Sequence, residues 1–498
     1  MPDVTIRTRG GADTTLPAGE AERLAAALRG EVVTADAPHY ADVCRVWNGT
    51  VERRPAIVAR CRGSADVVRA VRFAREHDLL LGVRGGGHNI AGNGVVDRGL
   101  LVDLAPMRGV RVDPGQRFAR VDGGALLGDM DRETQTFGLA TPLGINSTTG
   151  IAGLTLGGGY GWLSRAYGLT VDNLRAADVV TADGALVSAS ESEHPDLFWA
   201  LRGGGGNFGV VTSFEYALHP VGPEVLAGLI VHPFDHADEL LRRYRDVVRA
   251  APDSLTAWVV MRKAPPLPFL PTEVHGRPVL VIAACYTGPR EDAERVLRPL
   301  REIGTPIADV IDWTPYAGFQ TAFDPLLTPG ARNYWKTHNF ATLHDPLIDV
   351  LVDQIAHLPG PMSEIFLAHL GGAVSRRADD ATAYAGRHAQ FVMNVHARWE
   401  DRTADDAFVA WARNVYTVAA PYAAAGGAYV NFMTADEGNR VRAAYGANYD
   451  RLASIKAKYD PSNVFRTNQN IAPAPAAQPG AYTPMGTSLP TGAYQRPT

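Results

Sequence analysis

The stretch Val83-Arg84-Gly85-Gly86-Gly87-His88-Asn89-Ile90-Ala91-Gly92 decides how the rest of the chain is read. Three successive glycines remove every Cβ, so the backbone can turn sharply and lay its N–H groups against an anion. Arg84 adds positive charge on one side, and His88 sets a nucleophilic imidazole directly after the turn. A basic residue, a bare backbone and a histidine suit a pyrophosphate with a reactive ring attached. An ordinary tight loop with a surface histidine fits this stretch equally well, so the flanking sequence has to decide.

Working outward, Ala56-Ile57-Val58-Ala59 predicts a buried strand, Ser64-Ala65-Asp66 a cap for a helix over Val67 to His77, and Leu79 to Val83 a second strand feeding the turn. Leu100 to Leu104 and Phe118 to Val121 read as further strands, which together indicate an α+β lobe. Residues 1–50 are loosely patterned, with helical spacing from Ala21 to Arg29 and a short strand at Val32-Val33. A second glycine cluster runs from Gly144 to Gly161, and so many small residues keep the backbone close to whatever lies alongside. A third, Gly203 to Gly209, contains Gly204-x-Gly206-x-x-Gly209, nominally a dinucleotide fingerprint. Val210 to Glu215 reads as a strand where that fingerprint requires a helix, which rules out a Rossmann site.

From about Pro220 the glycine density falls. Helices over His236 to Ala250 and Glu291 to Ile303 stand among strands at Val279 to Ala284, Ser363 to His369 and Gln390 to Ala397. That mixture predicts a sheet with helices on one face and the first lobe on the other. Another helix is expected over Asn448 to Lys458, and the Pro/Ala/Gly/Ser/Thr-rich stretch 474–498 is expected to be disordered.

The 498 residues exceed one simple domain, and 46% hydrophobic with 20% charged residues is a globular balance. A net charge of −5 gives no global attraction to nucleic acid or anionic lipid. Cys44, Cys61 and Cys285 are far apart and odd in number, which fits a reducing compartment better than a disulfide framework. With no apolar signal-type run and no membrane-spanning stretch, the expectation is a cytoplasmic protein with no membrane partner. No metal is expected, since no HExxH or His/Cys cluster appears.

The order Arg84-Gly-Gly-Gly-His88-Asn89, then Gly150-Ile-Ala-Gly-Leu-Thr-Leu-Gly-Gly-Gly159-Tyr-Gly, then Gly203-Gly-Gly-Gly-Asn-Phe-Gly209 resembles the FAD-linked oxidases of the vanillyl-alcohol oxidase superfamily, with its PCMH-type FAD-binding fold. The C-terminal Tyr429-Val-Asn-Phe432 and Tyr459-Asp-Pro-Ser-Asn-Val-Phe465, ending at Asn468-Gln-Asn470-Ile471, resemble its berberine bridge enzyme-like branch. The resemblance covers roughly Arg53 to Pro473. It implies a PCMH-type FAD-binding domain over 51–221 after an N-terminal segment 1–50, a substrate-binding domain over 222–428, and a C-terminal segment 429–473 completing the FAD domain. The cofactor it implies is FAD, bonded through its 8α carbon to His88. Gly85, Gly86 and Gly87 would cradle the pyrophosphate beside Arg84 and Asn89. Gly150, Gly153, Gly158 and Gly159 would line the cofactor, with Asn207 and Val211 near its nucleotide end and Asn468 and Asn470 on the returning C-terminal segment. Doubly linked relatives carry a cysteine at the position of Asn146, so no cysteinyl link is expected here.

A flavin without a nicotinamide site implies hydride transfer from a C–H bond to N5, followed by reoxidation. For an alcohol, a base must take the hydroxyl proton. Tyr429 and, beside the flavin, Tyr160 are the candidates by resemblance, and Lys336 is a possible positive neighbour for a tyrosinate. Packing or hydrogen-bond donation fits both tyrosines too. Thr149 occupies the position where relatives place an aliphatic side chain near flavin C4a, which leaves room for oxygen as the acceptor. Glu364 and His369 stand at odd spacing on one strand, so they face opposite sides, and His369 is expected to be structural. The substrate is a small molecule, either an alcohol (a sugar, aromatic or natural-product hydroxyl) or an amine. A dehydrogenase using another acceptor, and a flavin-free ligand-binding protein, are the alternatives.

Overall fold

The computed structural model describes residues 2–424 and 428–475. All but the first two positions of the stretch 474–498, expected to be disordered, lie outside the described residues. Two lobes built on three principal sheets face each other across one long cavity.

The first sheet has the strand order Glu31–Val33, Ile57–Arg60, Leu100–Asp103, Leu81–Arg84, and the last three strands run parallel. The helix Ser64–Glu76 makes the crossover from strand 57–60 to strand 81–84, between which strand 100–103 then inserts. This helix starts earlier than its sequence suggests, with Gly63 at the N-cap. Asp66 does not cap it. Its carboxylate accepts the N–H groups of Arg29, Gly30 and Arg62 at 2.9–3.0 Å and ties the helix to the preceding strand. The first fifty residues are more ordered than their patterning implies. A hairpin, Val4–Arg7 with Asp13–Leu16, and the helix Ala18–Ala27 bury Ile6, Leu16 and Leu24 against Val67 and Val71.

The second sheet is antiparallel, ordered Leu186–Ser190, Leu174–Val180, Val210–Ala217, Phe118–Asp122, Val110–Asp113. The chain after Gly209 is thus a strand, as expected, and Gly205–Asn207 is a single 3-10 turn. The second glycine cluster contains a short helix, Ile151–Leu156.

The third sheet has eight antiparallel strands. Its main path runs Ala308–Asp309, Glu224–Pro233, Pro278–Tyr286, Leu255–Lys263, Glu364–His369, Phe391–Trp399, Arg332–Phe340, with Asp312–Pro315 also pairing to 224–233. Side chains alternate across a pleat. Ala257, Val259 and Met261 therefore pack against the helices Ala237–Ala250, Asp345–Ile355 and Asp405–Ala419. Trp258, Val260 and Arg262 point the other way and line the cavity. The fold class is α+β, with the antiparallel sheet covered by helices on one face, as the sequence implies.

The C-terminal segment returns to the glycine-rich lobe. Leu452 and Ile455 of the helix Tyr449–Tyr459 pack with Val211 and Phe214, and Val464 and Phe465 pack with Ile57 and Leu81. Each such burial is worth about 2 kcal/mol, enough together to hold the segment in place.

Candidate active site

A cavity of ≈ 400 Å³ runs from the glycine-rich lobe to the bare face of the large sheet. One end is formed by Gly85–Asn89, Gly150, Gly153, Gly205–Asn207, Val210 and Val211, and by Phe465 and Thr467–Gln469 of the returning segment. The backbone here fits a long anionic cofactor. A Cβ on Gly153 or Gly206 would meet nothing within 4 Å, so both open onto the cavity. Gly86 and Gly150 serve differently: a Cβ on either would collide with the other's backbone, so the two glycine turns interlock.

His88 lies where this end meets the sheet. Its Nε2 is 2.9 Å from Thr148 Oγ1, and that hydroxyl is 2.6 Å from Asn146 Oδ1, which also accepts the Thr148 N–H at 3.0 Å. A carboxamide oxygen only accepts, so the Thr148 proton points to Asn146 and its oxygen receives His88 Nε2–H. Nδ1 is left with its lone pair, and Thr149 Oγ1 stands 3.5 Å away. Burial pushes His88 down to about 3, so the ring is neutral. Trp47 stacks on it with centroids 5.0 Å apart and 22° between the planes.

Toward the sheet, six rings form an unbroken belt. Phe366 meets Trp258 (5.2 Å), Trp258 meets Tyr160 (6.0 Å), Tyr160 meets Tyr429 (5.0 Å), Tyr429 meets Phe432 (4.9 Å), and Phe432 meets Trp335 (5.2 Å). Most contacts are edge-to-face, the arrangement that ring quadrupoles favour. Tyr429 Oη accepts hydrogen bonds from the Asn431 side-chain amide at 3.0 Å and the Gly159 N–H at 3.3 Å. Burial pushes its hydroxyl up to about 12, partly offset by those two donors. Burial likewise raises Tyr160. The expected helper, Lys336, is engaged elsewhere: its ammonium sits 3.1 Å from Asp436 and 3.4 Å from Glu437, both on another segment.

One row of directly opposed residues across the sheet is polar, through the pairings Arg262↔Glu364, Glu364↔His396 and His396↔Trp335. Arg262 Nη1 donates to Glu364 Oε2 at 2.7 Å. Burial would raise Glu364, but Arg262 and the neighbouring His396 and Arg398 outweigh it and hold the carboxyl below its usual range. His396 is lowered by burial. Asn333 Nδ2 donates to the Ala331 carbonyl, so its Oδ1 faces His396 Nε2 at 2.9 Å. His396 Nδ1 lies 3.4 Å from Glu364 Oε1. Glu364 thus lines the cavity, whereas His369 on the opposite face lies beside Arg165 at 3.3 Å and packs against Phe391.

The other sequence candidates divide. Asn89, Asn146, Thr149, Val211 and Asn468 are on the cavity wall. Arg84 also touches it, but its guanidinium is committed to buried Asp103, through Nε at 3.0 Å and Nη2 at 2.9 Å, so the charge expected beside the glycine turn is already neutralised. Asn207 is on the wall too, with its side chain spent on the carbonyls of Gly204 and Gln469 and the Ile471 N–H. Gly158 and Gly159 lie behind the wall, packed on Tyr384 and Thr170, and Asn470 is also off it. Sequence reading missed Trp47, Trp258, Arg262, Trp335, Phe366 and His396. A period-two reading of strands 255–263 and 391–399 would have put Trp258 with Arg262, and Asn394 with His396, on shared faces.

Two family models match the chain, "FAD binding domain" over residues 55–190 and "Berberine and berberine like" over residues 428–472. An FAD-linked oxidoreductase of Bacillus subtilis, YgaK, is 32% identical over 90% of this chain and 97% of its own. The (R)-6-hydroxynicotine oxidase of Paenarthrobacter nicotinovorans is 29% identical over 90% of this chain and 97% of its own. The solved structure of 6-hydroxy-D-nicotine oxidase from Arthrobacter nicotinovorans superposes with a TM-score of 0.80 at 28% identity, covering 90% of this chain and 98% of that one.

Proposed function

This chain belongs to the FAD-linked oxidoreductases of the berberine-like family, and we propose that it oxidises an alcohol on a small molecule, with FAD bonded once through His88 and oxygen as the acceptor. The observation that carries the reading is the continuity of one cavity from the glycine turns, past a neutral histidine, to a tyrosine-lined sheet face. When bound, FAD supplies the acceptor for the hydride leaving the substrate carbon.

The chain's own residues then have distinct tasks. The backbone of Gly85–Gly87, Gly150, Gly153 and Gly205–Gly206 would hold the cofactor, together with the returning C-terminal segment that lines the same end of the cavity. His88 Nδ1 would carry the link to FAD, since Thr148 holds the proton on Nε2 and leaves the lone pair on Nδ1. Asn146 offers no thiolate for a second bond, and a carboxamide nitrogen is not a competent nucleophile for that addition. Tyr429 takes the substrate hydroxyl proton, and its two donors stabilise the phenolate that this requires. Tyr160, in contact with Tyr429, completes the wall. Thr149 stands beside His88 and is small enough to leave oxygen a path. The three cysteines are buried and unpaired, which supports a cytoplasmic setting.

The test is an anaerobic substrate panel scored by flavin bleaching, followed by readmission of air. Bleaching by alcohols and hydrogen peroxide formed in step with substrate consumption support the reading. Bleaching by amines alone makes the protein an amine oxidase, and reoxidation only by quinones or dyes makes it a dehydrogenase. Colourless purified protein that binds no FAD makes it a ligand-binding protein.

A further inference from the structure

One strap of the large-sheet lobe, the helix Tyr316–Gln320 followed by the turn Asp324–Leu326, reaches both loops around His88. Gln320 Nε2 donates to the Gly144 carbonyl at 3.2 Å, and the Leu327 carbonyl accepts Nε1–H of Trp47, the ring stacked on His88, at 2.9 Å. Between these two grips stands Asp324. Its Oδ1 accepts the Ser147 N–H at 2.9 Å, and its Oδ2 accepts the Ser147 hydroxyl. Phe323 and Leu326 line the cavity, whereas Asp324 is off its wall and reaches the site through Ser147.

Ser147 separates the two residues that relay to His88. Its N–H belongs to the peptide unit that carries the Asn146 carbonyl. A peptide unit is planar, so holding that N–H fixes the tilt of the chain between Asn146 and Thr148. The demand on this tilt is strict. Asn146 Oδ1 must receive both the Thr148 N–H at 3.0 Å and its hydroxyl at 2.6 Å, while Thr148 Oγ1 receives His88 Nε2–H at 2.9 Å. The path of the loop does not need Asp324, because the carbonyls of Ser147 and Thr149 accept the N–H groups of Gly128 and Leu127, both at 2.9 Å, within the glycine-rich lobe. A carboxylate from the other lobe, accepting twice from one serine, therefore adds orientation rather than anchorage.

We propose that Asp324 is a positioning residue for cofactor attachment: through Ser147 it sets the Thr148 hydroxyl against His88 Nε2, which keeps the lone pair on Nδ1. This rests on the single histidyl link proposed above and assigns it a helper from the opposite lobe. In that link a bond from Nδ1 to the flavin 8α carbon replaces one C–H bond. Two electrons and two protons, one proton from that carbon and one from Nε2, pass to oxygen and leave as hydrogen peroxide.

Full-length protein is incubated with FAD in air and sampled over time for the acid-stable fraction of bound flavin, with the melting temperature measured in parallel. Asp324→Ala binds FAD and melts as wild type does, yet attaches it about tenfold more slowly. Asp324→Asn restores the wild-type rate, because its carboxamide can accept the Ser147 N–H and donate to the hydroxyl. In a Thr148→Val background Asp324→Ala slows attachment no further, whereas a general loosening of the fold would slow it again. The proposal falls if Asp324→Ala attaches FAD at the wild-type rate, or if its effect is undiminished beside Thr148→Val. If Asp324→Ala does not fold, Ser147→Ala decides: it slows attachment only where Thr148 is present, and a wild-type rate overturns the proposal. Wild-type protein without acid-stable flavin would end the link reading itself, and this proposal with it. A fast Asp324→Ala protein would leave that reading standing.

Discussion

His88 Nε2 rests 2.9 Å from Thr148 Oγ1, and the Thr148 hydroxyl is in turn turned toward Asn146. This leaves the lone pair on Nδ1, the nitrogen through which the proposed link to FAD would form. Wild-type protein denatured in acid should stay yellow, with the flavin mass on a peptide containing His88. His88→Ala should release all colour. Thr148→Val should bind FAD yet attach it about tenfold more slowly or less completely, because the tautomer is no longer enforced. Asn146→Ala should keep the bond. Attachment is measured as the acid-stable fraction of total flavin, and a Thr148→Val protein labelled as fast as wild type would refute the relay.

Tyr429 is a proton acceptor only as phenolate, and burial pushes its hydroxyl up to about 12. The fraction ionised therefore grows tenfold per pH unit below that value. If Tyr429 is the base, anaerobic flavin reduction should accelerate steadily with pH, with no plateau in the neutral range. Tyr429→Phe should keep its flavin, lose roughly 10²–10⁴-fold in reductive rate and lose the pH dependence. Stopped-flow reduction of the variant at wild-type rates would remove Tyr429 from this role.

The two kinds of glycine should fail in different ways. Gly153→Leu projects into the cavity and meets no protein atom at its Cβ, so it should give folded, colourless protein. Gly86→Ala collides with the Gly150 backbone and should lower the melting temperature and soluble yield. Flavin content and thermal unfolding, measured together, separate the two; a yellow Gly153→Leu protein would mean that the cofactor does not lie there.

Acid should destabilise the fold above the usual carboxylate range. Burial pushes His338 down to about 4 and His369 down to about 3, from an unfolded value of 6.5. Between these values the unfolded chain binds protons that the folded one refuses, so stability falls as pH drops from about 6.5 to about 4, by about 1 kcal/mol per pH unit for each histidine. Asp131 has the opposite sign: burial raises it to about 7 from 3.8, so its penalty grows as pH rises through that window. His88, pushed down to about 3, adds a third group of the histidine sign, and three groups against one leave a net loss on acidification. His338→Gln, which keeps a donor for the Tyr416 carbonyl, should flatten the melting-temperature profile. A profile flat from pH 7 to 4 in wild type would contradict this.

Much of the glycine-rich lobe is legible because its signals are local. The turn after Val83, the strand after Gly209 and the helix leading toward Glu76 depend on residues next to one another. The large sheet was harder. In Leu255–Lys263 one face packs on helices and the other on the cavity, so both are apolar and the alternation that marks a strand is hidden. Partnerships across long separations were not visible at all. Arg84 turns to Asp103 because a fully buried carboxylate needs a counter-charge, and Lys336 turns to Asp436 and Glu437 for a like reason. The row Arg262–Glu364–His396 exists only through strand register.

The returning segment also sets a timetable. Lys456 is wholly buried, and its ammonium reaches Asp460 and the carbonyls of Asn207 and Phe465, while Asn207 grips Gln469 and Ile471. The wall at that end of the cavity thus joins residues from opposite ends of a long translation run. A ribosome that has made the glycine turns still has hundreds of residues to add before Phe465 to Gln469 emerge, which at typical elongation rates takes tens of seconds. Until then the cleft is open on one side. Capture of the cofactor is therefore a late event in the life of each molecule, and a chain that stops short of this segment is left with half a binding site.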